Sequence, residues 1–268
     1  MTGSTTLRRV LTAFAVLIAI WLVVPVLIVI PISFSGENSF AFPPASWGTE
    51  HYVTFFTERS WLTSLLVSLQ LAVIVTVIAT VLGTMAAFAI VRMTRGSGAL
   101  ERFFTAPLIV PGIVIAVALY VVFLQWGLIG TATGFIAAHT VLSLPFVVVN
   151  VANVLRTYDR TLDRAAAMLG ASPWTTFRVV TLPIIRPGVL SGALFAFVTS
   201  FDEVVVSLFV QSPQLQTLPV RMFTSITNEV DPTIAAASTV VLVVSTLVLG
   251  MAGLARRTGT TSRSTDNA

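Results

Sequence analysis

Apolar residues lie along this chain in long unbroken runs, not at the two-residue alternation of a half-buried strand. The first run, Val10 to Ile32, is long enough for a hydrocarbon core that needs about 20 residues. It exceeds the roughly 7–15 apolar residues of a signal peptide and ends in Pro31-Ile32-Ser33-Phe34 without a small-residue cleavage site, which predicts a retained first span. Residues 34–60 are more polar, with Trp47 and Trp61 suited to a membrane–water interface and a short surface helix predicted over Glu50–Arg59. Further spans are predicted over 62–91, 103–124, 137–154, 189–210 and 233–254. The third carries Pro107 and Pro111-Gly112, read as a kink facing protein or a cavity, and the fourth is interrupted by Pro145. Between spans lie a basic turn at 92–98, a short turn at 125–134 with Trp126 at the interface, and loops at 155–187 and 211–232. A Ser/Thr-rich tail over 258–268 is read as flexible. The expected fold is all-α and integral to the membrane, a single domain over 1–268 with six transmembrane helices and no clear internal repeat.

Composition agrees with that class. Of 268 residues 56% are hydrophobic and 10% charged, against about 25% charged in soluble domains. All 15 basic residues are arginines. With loops assigned to alternate sides, Arg8, Arg9, Arg92, Arg95, Arg102, Arg156, Arg160, Arg164, Arg178, Arg186, Arg256, Arg257 and Arg263 fall on one side, and Arg59 and Arg221 on the other. The positive-inside rule then puts both termini and the 155–187 loop in the cytoplasm. A net charge of +4 would suit nucleic acid, but these arginines flank membrane spans and read as topology determinants, so no nucleic-acid partner is expected. The absence of cysteine excludes disulfides, thiolate zinc sites and Cys nucleophiles, and His51 and His139 are too far apart in sequence to indicate a metal site. The absence of lysine excludes a standard phosphate-binding P-loop, so this chain is expected to be non-catalytic and without a cofactor of its own. If transport is ATP-driven, a separate chain holds the ATP–Mg.

The 155–187 loop is the most basic and has helical punctuation. Thr161 is a candidate cap, with Asp163 in the first turn. Leu162, Ala165, Ala166 and Leu169 form an apolar face, and Gly170 suits a C-terminal cap. Ser172 then caps a second helix with Pro173 at its first position and Trp174, Phe177 and Val180 along it; Pro183 is expected to end that helix and Pro187 to open the next span. A docking element and an amphipathic loop lying on the bilayer fit this pattern equally.

Arg164-Ala165-Ala166, then Gly170, then Val180-Thr181-Leu182-Pro183 resemble the EAA signature of ABC-importer permeases, and Leu169-Gly170-Ala171-Ser172-Pro173-Trp174 extends the match. The resemblance implies a type I ABC importer fold in which this loop is the coupling helix seated on a cytoplasmic ATPase dimer. Arg164, Ala165, Ala166, Leu169, Gly170, Ala171, Leu182 and Pro183 would then be the coupling residues. Arg164 departs from the pattern, which has glutamate there.

Ser200-Phe201-Asp202-Glu203 places two acids inside the fifth apolar run, where charge is costly and faces a cavity or a partner. The acids fit either an attractor for a cationic substrate or a pairing with a partner subunit. With Val206-Ser207, Phe209-Val210, Thr217-Leu218-Pro219 and Asp231-Pro232-x-Ile234, the segment resembles spermidine/putrescine permeases. That implies an importer of polyamines in the bacterial inner membrane. A second permease, an external binding protein and the ATPase would be its partners, and a small cation its substrate. Ferric-iron, sulfate and phosphonate importers share fold and loop, and an ion-coupled secondary transporter is the rival from another class. His139, Asn150 and Asn153 fit helix–helix hydrogen bonding better than a pathway, and Gly188 and Gly192 fit close helix packing.

Overall fold

The computed structural model describes residues 3–228 and 231–257, with side chains over 7–228 and 231–250. The expected flexible tail at 258–268 lies outside the described residues. The described chain is mostly helical: α1 (Gly3–Ser33), α2 (Glu50–Thr57), α3 (Arg59–Arg92), α4 (Ser97–Thr105), α5 (Gly112–Gln125), α6 (Ala132–Arg156), α7 (Thr161–Met168), α8 (Pro173–Thr176), α9 (Leu182–Phe201), α10 (Val205–Val210), α11 (Leu218–Asn228) and α12 (Thr233–Arg257). Among the described residues five helices are long and apolar enough to cross a membrane, or six if the bent pair around α4 and α5 is one span.

Four expected boundaries are corrected. The third apolar run is not one kinked helix: α4 and a 3₁₀ turn (Ala106–Leu108) meet α5 at 98°. Pro111 lacks a donor and takes φ −55° and ψ 134° as the N-cap of α5, so the bend falls where a helix could not pass unbroken. The fourth run is continuous. Pro145 lies inside α6, and packing along α9 holds the helix through the one lost bond. The helix opened by Pro173 does not end at Pro183. It runs to Phe201 through a π segment, Phe177–Thr181, and Pro187 is interior to it. There the Leu182 amide donates to the Phe177 carbonyl, one residue further back than in an α-helix, which widens the turn beside Pro183. The fifth run stops at Phe201 and resumes as α10, so no single helix spans 189–210.

The chain forms two compact units. The first comprises residues 1–62 and 222–243. In it α2 is a surface helix with one packed face: Val53 and Phe56 are exposed, while Phe55 is buried against Trp61, with ring centroids 6.0 Å apart, so Trp61 is a core residue and not an interfacial one. Tyr52 Oη lies 2.7 Å from Ser33 Oγ, and His51 Nε2 lies 3.1 Å from the Glu37 carbonyl, tying α2 to the end of α1 and its following loop.

The second unit, residues 63–221 and 244 onward, is built around α6. Ala79 and Ala87 of α3, Val147, Val151 and Ala152 of α6, and Ile185 and Ala196 of α9 form one buried cluster. Leu71, Ala116, Phe123, Phe135, Ala138 and Val206 form another among α3, α5, α6 and α10. Small residues let the helices meet closely. A Cβ on Gly192 would lie 2.8 Å from Val147 Cα, one on Gly188 2.9 Å from the Asn150 carbonyl, and one on Gly83 2.7 Å from Val147 Cβ. The 211–232 loop contains a helix that the sequence reading missed; the Leu218 amide at its start donates to Ser68 Oγ at 2.7 Å.

Because the obstacle at Gly192 is backbone, Gly192→Leu should cost about 1–3 kcal/mol. Gly250→Ala, which meets open space, should be neutral. Thermal unfolding of the detergent-solubilised protein, read by intrinsic fluorescence, measures both.

Candidate functional site

Two features of the second unit carry candidate function: the loop around α7, and the break between α9 and α10.

In the loop, Asp159 Oδ1 accepts from the Thr161 amide at 2.9 Å, so Asp159 and not Thr161 supplies the capping side chain of α7. The same Thr161 contacts, with Arg164 nearby, hold the Asp159 carboxyl below its usual range. At the other end Gly170 has φ +81°, open to glycine without strain. Its amide donates to the Ala167 carbonyl and that of Ala171 to the Ala166 carbonyl, both at 3.0 Å, the paired bonds of a Schellman cap. Ser172 Oγ accepts from the Thr175 amide at 3.2 Å and opens α8 as expected.

One acid holds this helix–turn–helix in place. Asp163 Oδ1 accepts from Tyr158 Oη at 2.6 Å and Thr181 Oγ1 at 3.0 Å, while Oδ2 lies 3.7 Å from Arg92 at the end of α3. Arg160 Nη2 donates to the Val91 carbonyl at 2.6 Å, and Arg156 Nη2 donates to both carboxylate oxygens of Glu101, each at 2.7 Å. Burial first, then the bond to Asp163, pushes the Tyr158 phenol above its ordinary pKa. The residue pattern gave no sign of these contacts, since the partners of Asp163 lie 71, 18 and 5 positions away (163 − 92, 181 − 163, 163 − 158).

The expected apolar face of α7 has no cover among the described residues. Leu169 is 88% exposed and Met168 83%, and Trp174 beside them is 67% exposed while stacking on Phe177. Contiguous exposed apolar side chains of this size mark an interaction surface. Arg164, Ala165, Ala166, Leu169, Gly170 and Ala171 share this one helix and turn; Leu182 and Pro183 follow the π segment at the foot of α9.

Asp202 and Glu203 lie at the far end of α9, about 30 Å along a 20-residue helix. The break gives them different situations. Glu203 Oε1 accepts from the Val206 amide at 2.8 Å and caps α10. Asp202 follows the last turn of α9 with its side chain exposed, and makes no side-chain hydrogen bond or ion pair among those described. Behind the break is buried His139 of α6, bonded to hydroxyls on both helices. It serves helix–helix bonding, as does Ser143, which donates to the Ala196 carbonyl; Asn150 and Asn153, expected to bond between helices, instead bond within α6, Asn150 to the Phe146 carbonyl and Asn153 to Arg156.

The second unit thus holds apolar helices with an exposed helix–turn–helix between two of them. Residues 79–258 match the family described as binding-protein-dependent transport system inner membrane component, and the chain belongs to it. It is 33% identical to the putrescine transport system permease protein PotI of Escherichia coli K12, over 74% of this chain and 73% of that one. It is 30% identical to the spermidine/putrescine transport system permease protein PotC of Haemophilus influenzae, over 91% and 95%. The molybdenum transport system permease protein ModB of Mycobacterium bovis is also 33% identical, over 70% and 78%. In fold the chain matches one from the crystal structure of a bacterial alginate ABC transporter in complex with alginate pentasaccharide-bound periplasmic protein (TM-score 0.72, 16% identity, 96% of each chain). The chain is therefore a multi-pass inner-membrane permease subunit, not an enzyme, and ATP hydrolysis belongs to a separate chain.

Asp163→Ala removes the acceptor for Tyr158 and Thr181. Hydrogen exchange across 158–176 should accelerate by at least about tenfold, the equivalent of losing one hydrogen bond to a charged group. Exchange in α6 should not change, and mass-spectrometric exchange on the purified protein reads both.

Proposed function

We propose that this chain is one of two similar permease subunits of an ATP-driven importer of polyamines such as spermidine and putrescine. It crosses the bacterial inner membrane six times, the α4–α5 bent pair forming one span, with both ends cytoplasmic and the whole of 1–268 acting as a single permease domain. An external binding protein delivers the cation. A cytoplasmic ATPase dimer binds ATP–Mg and drives alternating access through the 155–187 loop.

The observation that carries the substrate reading is Asp202 at the end of α9. Helix carbonyls with no continuing turn leave a partial negative charge there, and a carboxylate that makes no ion pair among the described residues adds to it. This suits an ammonium and opposes an oxyanion, which weighs against reading substrate from the molybdenum relative. Likeness to two polyamine permeases supports the same conclusion. The docking reading of the loop rests on the uncovered Met168, Leu169 and Trp174 around a capped turn. On this reading Arg164, Ala165, Ala166, Leu169, Gly170 and Ala171 meet the ATPase, Leu182 and Pro183 start the rod that follows, and Arg164 meets an acidic surface on that partner. Asp202, with Glu203 beside it, faces the cargo.

Three results test this. In proteoliposomes holding the assembled transporter and its binding protein, putrescine or spermidine should stimulate ATPase activity; stimulation by molybdate, sulfate or ferric ion alone would overturn the substrate. Asp202→Asn should raise the half-saturating concentration for uptake about tenfold, equivalent to about 1.4 kcal/mol of lost attraction, with Glu203→Gln acting mainly on stability. Gly170→Val forces a β-branched residue into the left-handed region at a cost of about 1–2 kcal/mol. It should leave ATP hydrolysis running while uptake fails, whereas normal uptake would remove the docking role.

A further inference from the structure

His139 sits on α6, 1% exposed, with each ring nitrogen in contact with a different helix. Nδ1 lies 3.0 Å from Ser200 Oγ in the last turn of α9, and Nε2 lies 2.9 Å from Ser207 Oγ in α10. Both hydroxyls are buried, and Phe135 walls the ring with its centroid 5.8 Å away. Between the two serines lie Phe201 to Val206, the whole break with both acids.

A neutral imidazole donates from one nitrogen and accepts at the other, and each serine hydroxyl can take either role. One ring therefore satisfies both helices without a net charge. Burial without partners would make this ring costly, so the contacts fix its place and with it the separation of the two helices.

We infer that His139 is a positioning residue, a clasp that sets the spacing of the α9–α10 break and so the direction in which Asp202 faces the transport path. The inference rests on the cargo-facing reading of Asp202. The clasp itself is fixed by contacts independent of any substrate. Asparagine places an amide near where Nδ1 lies and glutamine near where Nε2 lies. His139→Asn therefore keeps the α9 contact and His139→Gln the α10 contact, while His139→Phe keeps the ring shape and neither.

The chain has no cysteine, so Val205→Cys, at the exposed first residue of α10, reports on the break without background. In the assembled transporter, His139→Phe should change the rate at which a cationic methanethiosulfonate modifies that thiol by about tenfold, the effect of losing two interhelical bonds. In chains without the reporter, it should raise the half-saturating putrescine concentration by a similar factor, more than it lowers the maximal rate. His139→Asn and His139→Gln should fall between, and they carry the same test if the Phe variant does not assemble. Wild-type modification rates and half-saturation in all three variants would overturn the clasp. A responsive reporter in a transporter that moves no putrescine upholds the clasp and overturns only the substrate.

Discussion

The larger unit depends on how closely α6 lets its neighbours approach. Val147 is where two neighbours come close at once: Gly83 of α3 and Gly192 of α9 both present bare backbone to it, at distances a Cβ could not occupy. In a bilayer lipid tails are as apolar as leucine, so helices gain little by hiding apolar surface from lipid, and association rests on close packing and interhelical hydrogen bonds. With α3 and α9 seated on α6, the rest of the unit is located: the loop leaves from the end of α6, and the break follows the end of α9.

At both functional positions a side chain takes up backbone groups that a continuous helix would satisfy itself. Ser68 accepts the Leu218 amide where α11 begins, and Glu203 accepts the Val206 amide where α10 begins. Asp159 and Ser172 open the two helices of the loop. Irregular backbone at membrane depth persists only where protein supplies such partners. The acids of the break are thereby divided, one engaged with backbone and one exposed, a distinction that two neighbouring letters in a sequence do not carry.

Much of this was legible in the residues. Run lengths gave the long helices, and the Gly170 turn and Ser172 cap followed from local chemistry that acts within four residues. The misreadings share a cause. Pro145 and Pro183 follow the local rule that proline ends a helix, and Pro187 the preference of proline for a helix start, but neighbouring helices or a π turn keep the backbone helical through all three. The run over 189–210 is apolar on both sides of Asp202, so hydropathy could not locate its break. Residue type alone makes Trp61 interfacial, and its burial against Phe55 depends on the extended Glu58 between α2 and α3, which hydropathy does not report. The Asp163 contacts join residues distant in sequence, so only the folded chain brings them together. A fuller reading of Thr217-Leu218-Pro219 as a helix start would have found α11.

From Pro173 to Phe201 the backbone is one continuous helical rod of 29 residues, about 43 Å long. The uncovered turn at Gly170 stands just before its foot and the acidic break at its head. No relay of side chains is needed to link two such distant places. A rigid shaft turned at one end turns at the other, and a tilt of a few degrees at the foot becomes a displacement of several ångströms at the head. Along this rod the bonding pattern changes at Phe177–Thr181, where the π segment joins the foot to the head through a wider turn.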